Sequence, residues 1–146
     1  MTKSAFWSGC VVAAALLAAT GAAADGLQPG LYRIVQAPII NGMPGALQKS
    51  TRCLSADAVA DLDKTFSPVS RTTNSECERT EHESTPQRLK WRLQCKGQLD
   101  MDVAGEFLFE TPERYTATLI TEAWMQGQRI QRSHVTIEAE RVGDCP

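Results

Sequence analysis

The chain has 146 residues, with 15 Lys and Arg against 17 Asp and Glu for a formal net charge of −2. Acid and base are interspersed without a long run of either sign, which argues against a nucleic-acid partner. At 42% hydrophobic residues, one packed domain fits the length.

Residues 1–24 read as a secretory signal peptide. Lys3 precedes an apolar run from Cys10 to Ala19, and Gly21-Ala22-Ala23-Ala24 supplies small residues for cleavage before Asp25. The run is shorter than the roughly 20 apolar residues that span a bilayer comfortably. Cleavage after Ala24 removes Lys3 and takes the net charge one unit further negative. It leaves residues 25–146 as a single β domain, expected to be soluble and without a transmembrane span.

Cys10 also leaves with that segment, so Cys53, Cys77, Cys95 and Cys145 remain. Four cysteines in an exported chain read as two disulfides with three possible connectivities. No close Cys-x-x-Cys pair supports a zinc site.

Gly30-Leu31-Tyr32-Arg33-Ile34-Val35-Gln36-Ala37 follows the breaker pair Pro29-Gly30 and is rich in β-formers. Asn41-Gly42 and Met43-Pro44-Gly45 then form a turn-rich, loose connection. A second strand is expected over about residues 46–54, with Leu47, Thr51 and Cys53 on one face. Ser55 is a plausible N-cap, Asp57 suits the first turn, and Val59 and Leu62 share a face, so a short helix follows. Residues 63–75, with Pro68 and a run of Ser, Thr and Asn, read as a surface loop.

A polar third strand spans roughly residues 76–83, near an edge. Ser84-Thr85-Pro86-Gln87 turns into residues 88–109, where alternation is clearest. Leu89, Trp91, Leu93 and Cys95 alternate with Arg88, Lys90, Arg92 and Gln94, and the pattern resumes with Leu99, Met101, Val103, Phe107 and Phe109. With the turn centred on Pro86, Cys77 faces Cys95, which favours that disulfide and leaves Cys53 to Cys145.

The next hairpin is expected to set Leu93 opposite Leu99 and Trp91 opposite Met101. Its three-residue loop would be Cys95-Lys96-Gly97, with Gly97 left-handed. That register places Arg92 opposite Asp100 and Lys90 opposite Asp102 on a solvated face. After Glu110-Thr111-Pro112-Glu113-Arg114, a strand over residues 115–124 carries Tyr115, Ala117 and Leu119 inward. Gly105 would face Leu119 and mark a bend or bulge. Met125-Gln126-Gly127-Gln128 is the last loop, and Val135, Ile137 and Ala139 point inward from the closing strand.

The expected fold is all-β with one short helix: an antiparallel meander of about seven strands, disulfide-stapled, forming a strongly curved sheet or small barrel. A Cys53–Cys145 bridge would favour near-closure.

No hydrolase elbow, P-loop or dinucleotide glycine pattern occurs, and no cofactor is expected. His82 and His134 stand in polar or exposed-phase positions without metal-ligand spacing, so no metal site is read. Trp91, Met101, Phe107, Phe109 and Tyr115, with Leu119, converge on one face. They form a core or line a cavity for a small apolar ligand. Leu108, Ile120, Trp124 and Ile130 have the opposite phase. They are expected to lie partly under the helix, or else to form an exposed patch for a membrane or for a partner such as an envelope protein.

Gly30-Leu31-Tyr32, Met43-Pro44-Gly45, Cys53-Leu54-Ser55 and Arg141-Val142-Gly143-Asp144-Cys145, in that order, resemble the DUF3617 family of small exported proteobacterial proteins of unknown function. Tyr32-Arg33 stands where the family usually shows Trp-Glu, and the usual Gly-rich, Met/Thr-rich middle strands are lacking. The resemblance implies a periplasmic location and one β domain, and carries over no catalytic residue. A non-enzymatic ligand binder ranks first and an interaction module second. An enzyme is third, because no nucleophile, base and orienter stand at readable spacing.

Overall fold

A computed structural model describes residues 26–67, 71–72 and 75–146. The expected signal peptide and its cleavage point lie outside these residues. Nine strand segments and two short helices follow in order: β1 (Gly30–Ile40), β2 (Met43–Pro44), β3 (Gln48–Leu54), α1 (Ala56–Ala60), α2 (Leu62–Phe66), β4 (Arg71–Thr72), β5 (Ser75–Ser84), β6 (Arg88–Gly97), β7 (Asp100–Thr111), β8 (Arg114–Met125) and β9 (Gln128–Gly143). All strand pairs are antiparallel. Short β2 and β3 share one flank of β1, giving the order β2/β3-β1-β9-β8-β7-β6-β5-β4. The sheet curves without closing, so a mostly antiparallel, disulfide-stapled β fold is correct and the closed barrel is not formed.

Alternation assigns the faces. Tyr32 and Ile34 of β1, Leu89, Trp91 and Leu93 of β6, and Phe107 and Phe109 of β7 are buried on the concave side. Tyr115 and Ala117 of β8, with Ile137 and Ala139 of β9, join them. Outward positions on β6 and β7 carry ion pairs such as Arg92–Asp102 and Arg88–Glu106, both at 2.8 Å. Exposed pairs of this kind contribute little to stability.

The helical segment crosses the concave side. Ser55 caps α1 as expected, its hydroxyl accepting from the Ala58 N–H at 3.2 Å. A second helix, α2, replaces the start of the expected loop, because Asp61 caps it from the Lys64 N–H at 2.9 Å. Leu62 packs against the core and Phe66 is buried in it.

The disulfides are Cys53–Cys145 and Cys77–Cys95. The first ties the edge strand β3 to the chain beyond β9, and the second joins facing positions of β5 and β6. Such bonds belong to an oxidising, non-cytoplasmic setting. No helix among the described residues is long and apolar enough to cross a membrane.

Several expectations need correction. The β6–β7 register pairs Leu93 with Val103 and Trp91 with Gly105. The slip is four residues, and any even slip leaves every side chain on its original face, so alternation alone did not distinguish the two registers. Arg92 consequently reaches Asp102 diagonally instead of facing Asp100, and Lys90 pairs with Glu81 at 3.1 Å. Gly97 is not left-handed. Gly105 does face Leu119, yet no bulge occurs there; the irregularities on β7–β8 fall near Phe109. Its lack of a side chain instead makes room for the indole of Trp91. The first turn is also tighter than expected, with Asn41 and Gly42 at positive φ between paired Ile40 and Met43. Leu54 is the buried residue of β3, whereas Leu47, Thr51 and Cys53 are exposed.

Candidate functional site

The curved sheet and the helical segment enclose a cleft of about 390 Å³. Its floor is aromatic. Phe66 packs against Phe107 with ring centroids 5.0 Å apart, against Tyr115 at 5.1 Å and against Phe109 at 5.8 Å. Tyr32 packs against Tyr115 with its ring tilted and the centroids 5.9 Å apart, and donates its hydroxyl toward the carbonyls of Gln28 and Pro112, at 2.8 and 3.0 Å. These bonds clamp the N-terminal segment to the β7–β8 turn. Burial pushes the Tyr32 phenol up to about 12, and burial also raises that of Tyr115.

The walls are Trp91 of β6, Val103 of β7, Leu119 of β8, and Ile34 and Ile137 on β1 and β9. Strands β1 and β6 are separated by three intervening strands, so only curvature lets Ile34 and Trp91 line one space. Polar groups from Gln36, Arg52, Thr65, Ser67 and Thr121 also reach it. The indole N–H of Trp91 is buried with no hydrogen-bond partner among the described residues.

The helical segment is moored at both flanks. From β3, Arg52 lies over the Phe66 ring, 5.5 Å from its centroid, and its guanidinium is 3.5 Å from the Thr65 carbonyl. On the other side, Asp63 of α2 accepts from His82 Nε2 at 3.1 Å and pairs with Arg79 at 3.5 Å. The Ser67 hydroxyl also donates to Asp63. These contacts, led by the Ser67 hydrogen bond, hold the Asp63 carboxyl below its ordinary value. Ser67 and His82 both address the carboxylate, so the trio ties the helix down and does not form a serine-to-imidazole relay. His82 faces Trp91 across β5 and β6, so its side chain has the concave phase, and the residue remains exposed to solvent.

Of the residues read as ligand-binding, Trp91, Phe107 and Tyr115 meet at the cleft. Phe109 is buried beneath it against Phe66 and Tyr115. Met101 lies further along β7, where it shares a separate hollow with Trp124. Arg52, Gln36 and Phe66 were missed. Val59, Leu62 and Phe66 stand three and four residues apart, a helical spacing that could have extended the helix to Phe66.

Of the opposite-phase residues, Ile130 is the extra residue of β9 at the irregularity beside Trp124, but Leu108 and Ile120 stand apart from that pair. Leu108 pairs with Thr116 on β8, four residues from Ile120, which is itself four from Trp124. At about 3.3 Å per residue these steps are roughly 13 Å each. Leu108, Ile120 and Ile130 are exposed and Trp124 is half-buried. Both helices sit on the concave side, so the expected helical cover of this group is absent.

A family model described as "Protein of unknown function (DUF3617)" matches residues 27–145. No curated protein and no solved structure matches the chain.

Proposed function

We propose that this chain, which belongs to the DUF3617 family of proteins of unknown function, is a non-enzymatic periplasmic protein that holds a small apolar or amphipathic molecule against its concave face. The supporting observation is the cleft itself. At about 390 Å³ it falls within the range of small-molecule sites, about 300–1,000 Å³, and its walls are aromatic and aliphatic with a few polar groups at hand. A fully packed core would leave no such space, because protein interiors fill to crystal-like density. Export after cleavage of residues 1–24 belongs to the same reading, and the two disulfides are compatible with it.

Binding of the neutral fluorophore N-phenyl-1-naphthylamine tests the proposal, together with native mass spectrometry of protein purified from the periplasm. The fluorophore is expected to bind the unaltered protein. Leu119→Trp, which adds an indole to the cleft wall, should weaken that binding at least tenfold while circular dichroism shows the sheet retained. Protein that is always empty and never binds the fluorophore would overturn the proposal.

A further inference from the structure

Arg52 differs from the other arginines in a way that bears on the ligand. Every other arginine whose side chain is described has a carboxylate within ion-pair distance. Arg52 has none among the described residues. It is held instead by the face of Phe66 and the Thr65 carbonyl, at the wall of an otherwise largely apolar cleft. Its positive charge is felt inside the site, where it opposes the upward shift of the Tyr115 phenol. A guanidinium presents five donors in a planar fork that matches a carboxylate. One long contact to a carbonyl leaves most of that fork unused.

We infer that the cleft takes a single-chain anionic amphiphile, its alkyl body on Trp91, Phe107 and Leu119 and its carboxylate on Arg52. This inference rests on the cleft-binding reading and adds the charge and orientation of the ligand. Anchorage on the Phe66 ring limits the freedom that Arg52 loses when it engages an anion, which favours binding. The volume suits one short chain and is small for a two-chain lipid, being near the lower end of the range for small-molecule sites.

The test is displacement of bound N-phenyl-1-naphthylamine by sodium decanoate and by 1-decanol, which share an alkyl chain and differ in head-group charge. Decanoate should displace the fluorophore at about tenfold lower concentration than decanol, as a charge-assisted hydrogen bond implies. Each methylene removed from the carboxylate should weaken displacement about threefold to fourfold. Arg52→Gln should abolish the preference for decanoate and leave decanol unaffected. Arg33→Gln is the control for net charge, since Arg33 pairs with Glu140 on the convex face, and it should preserve the preference.

Equal displacement by the two compounds, or no displacement by either, would overturn this inference while fluorophore binding leaves the cleft reading standing. So would a preference that survives in Arg52→Gln. Failure of the fluorophore to bind the unaltered protein would remove both readings. If Arg52→Gln does not fold, the unaltered protein still decides through salt: added sodium chloride should reduce the decanoate preference, and an unchanged preference would overturn the inference.

Discussion

Replacing Gly105 by alanine would set a Cβ 2.3 Å from Cζ2 and 2.5 Å from Cε2 of Trp91. Neither distance is tolerable, so the indole or the β7 backbone has to move. Trp91 is only 3% exposed, and Leu89, Leu93 and Phe107 around it are buried as well. The indole can therefore give way only toward the cleft that it lines. Overpacking of this kind costs about 1–3 kcal/mol, against which alanine recovers part of the backbone entropy that glycine loses on folding. A net loss of about 2 kcal/mol is expected, or about 8 °C in melting temperature for a chain of this size. Urea unfolding followed by far-ultraviolet circular dichroism measures it without depending on the indole signal. In a Trp91→Phe background the atoms that clash are gone, so the alanine should cost close to nothing there. The coupling between the two sites should then be about 2 kcal/mol. A Gly105→Ala protein within about 0.5 kcal/mol of the unaltered one, or the same loss in both backgrounds, would refute the view that this glycine exists to seat Trp91.

Opening the Cys53–Cys145 bridge, which closes a separation of 92 residues, should destabilise the fold by about 4.5 kcal/mol; the 18-residue Cys77–Cys95 bridge should cost about 3 kcal/mol. Paired alanine variants compared in urea would show the order, and a larger loss from Cys77 and Cys95 would contradict it. The folded Tyr32 phenol lies near 12 against an ordinary 10.0, so its contribution to stability is complete below about pH 10 and is lost as the pH rises toward 12. Ultraviolet absorbance should show no native tyrosine half-ionised at pH 10, and Tyr32→Phe should flatten the loss of stability across that window. For Asp63 the shift is downward, so its contribution is present above 3.8 and is lost as the pH falls through the lower folded value. The protection of α2 amides against hydrogen exchange, taken relative to the intrinsic rate at each pH, should therefore fall in acid, and Asp63→Asn should lower it at neutral pH as well. An α2 equally protected in that variant would show that Phe66 alone holds the helix.

The faces of this sheet were legible without any tertiary structure. Period-two alternation assigns Trp91, Phe107, Tyr115, Leu119 and Ile137 to one side, and no long-range contact is needed to read it. Ser55 was readable as a cap for the same local reason, since its hydroxyl meets an amide within the next turn. The pairing of Cys77 with Cys95 followed once a turn at Pro86 set β5 against β6.

Other features are set by contacts between residues distant in sequence. Alternation survives an even slip unchanged, here one of four residues, so the β6–β7 register was chosen by packing, with Trp91 over Gly105. Phe66 falls within residues read as a surface loop, and becomes central only because the curved sheet offers its ring Phe107, Phe109 and Tyr115. Arg52 drew no role from the sequence pattern. Its place beside the cleft depends on α2 folding back across the concave face, a contact between residues 13 apart that no local pattern announces. The sequence by itself determined which side chains face inward and which cysteines can meet. Only the tertiary structure decided how far the strands slide, how strongly the sheet curves and what is left unfilled inside it, because a cleft is the space between distant segments and has no residue pattern of its own.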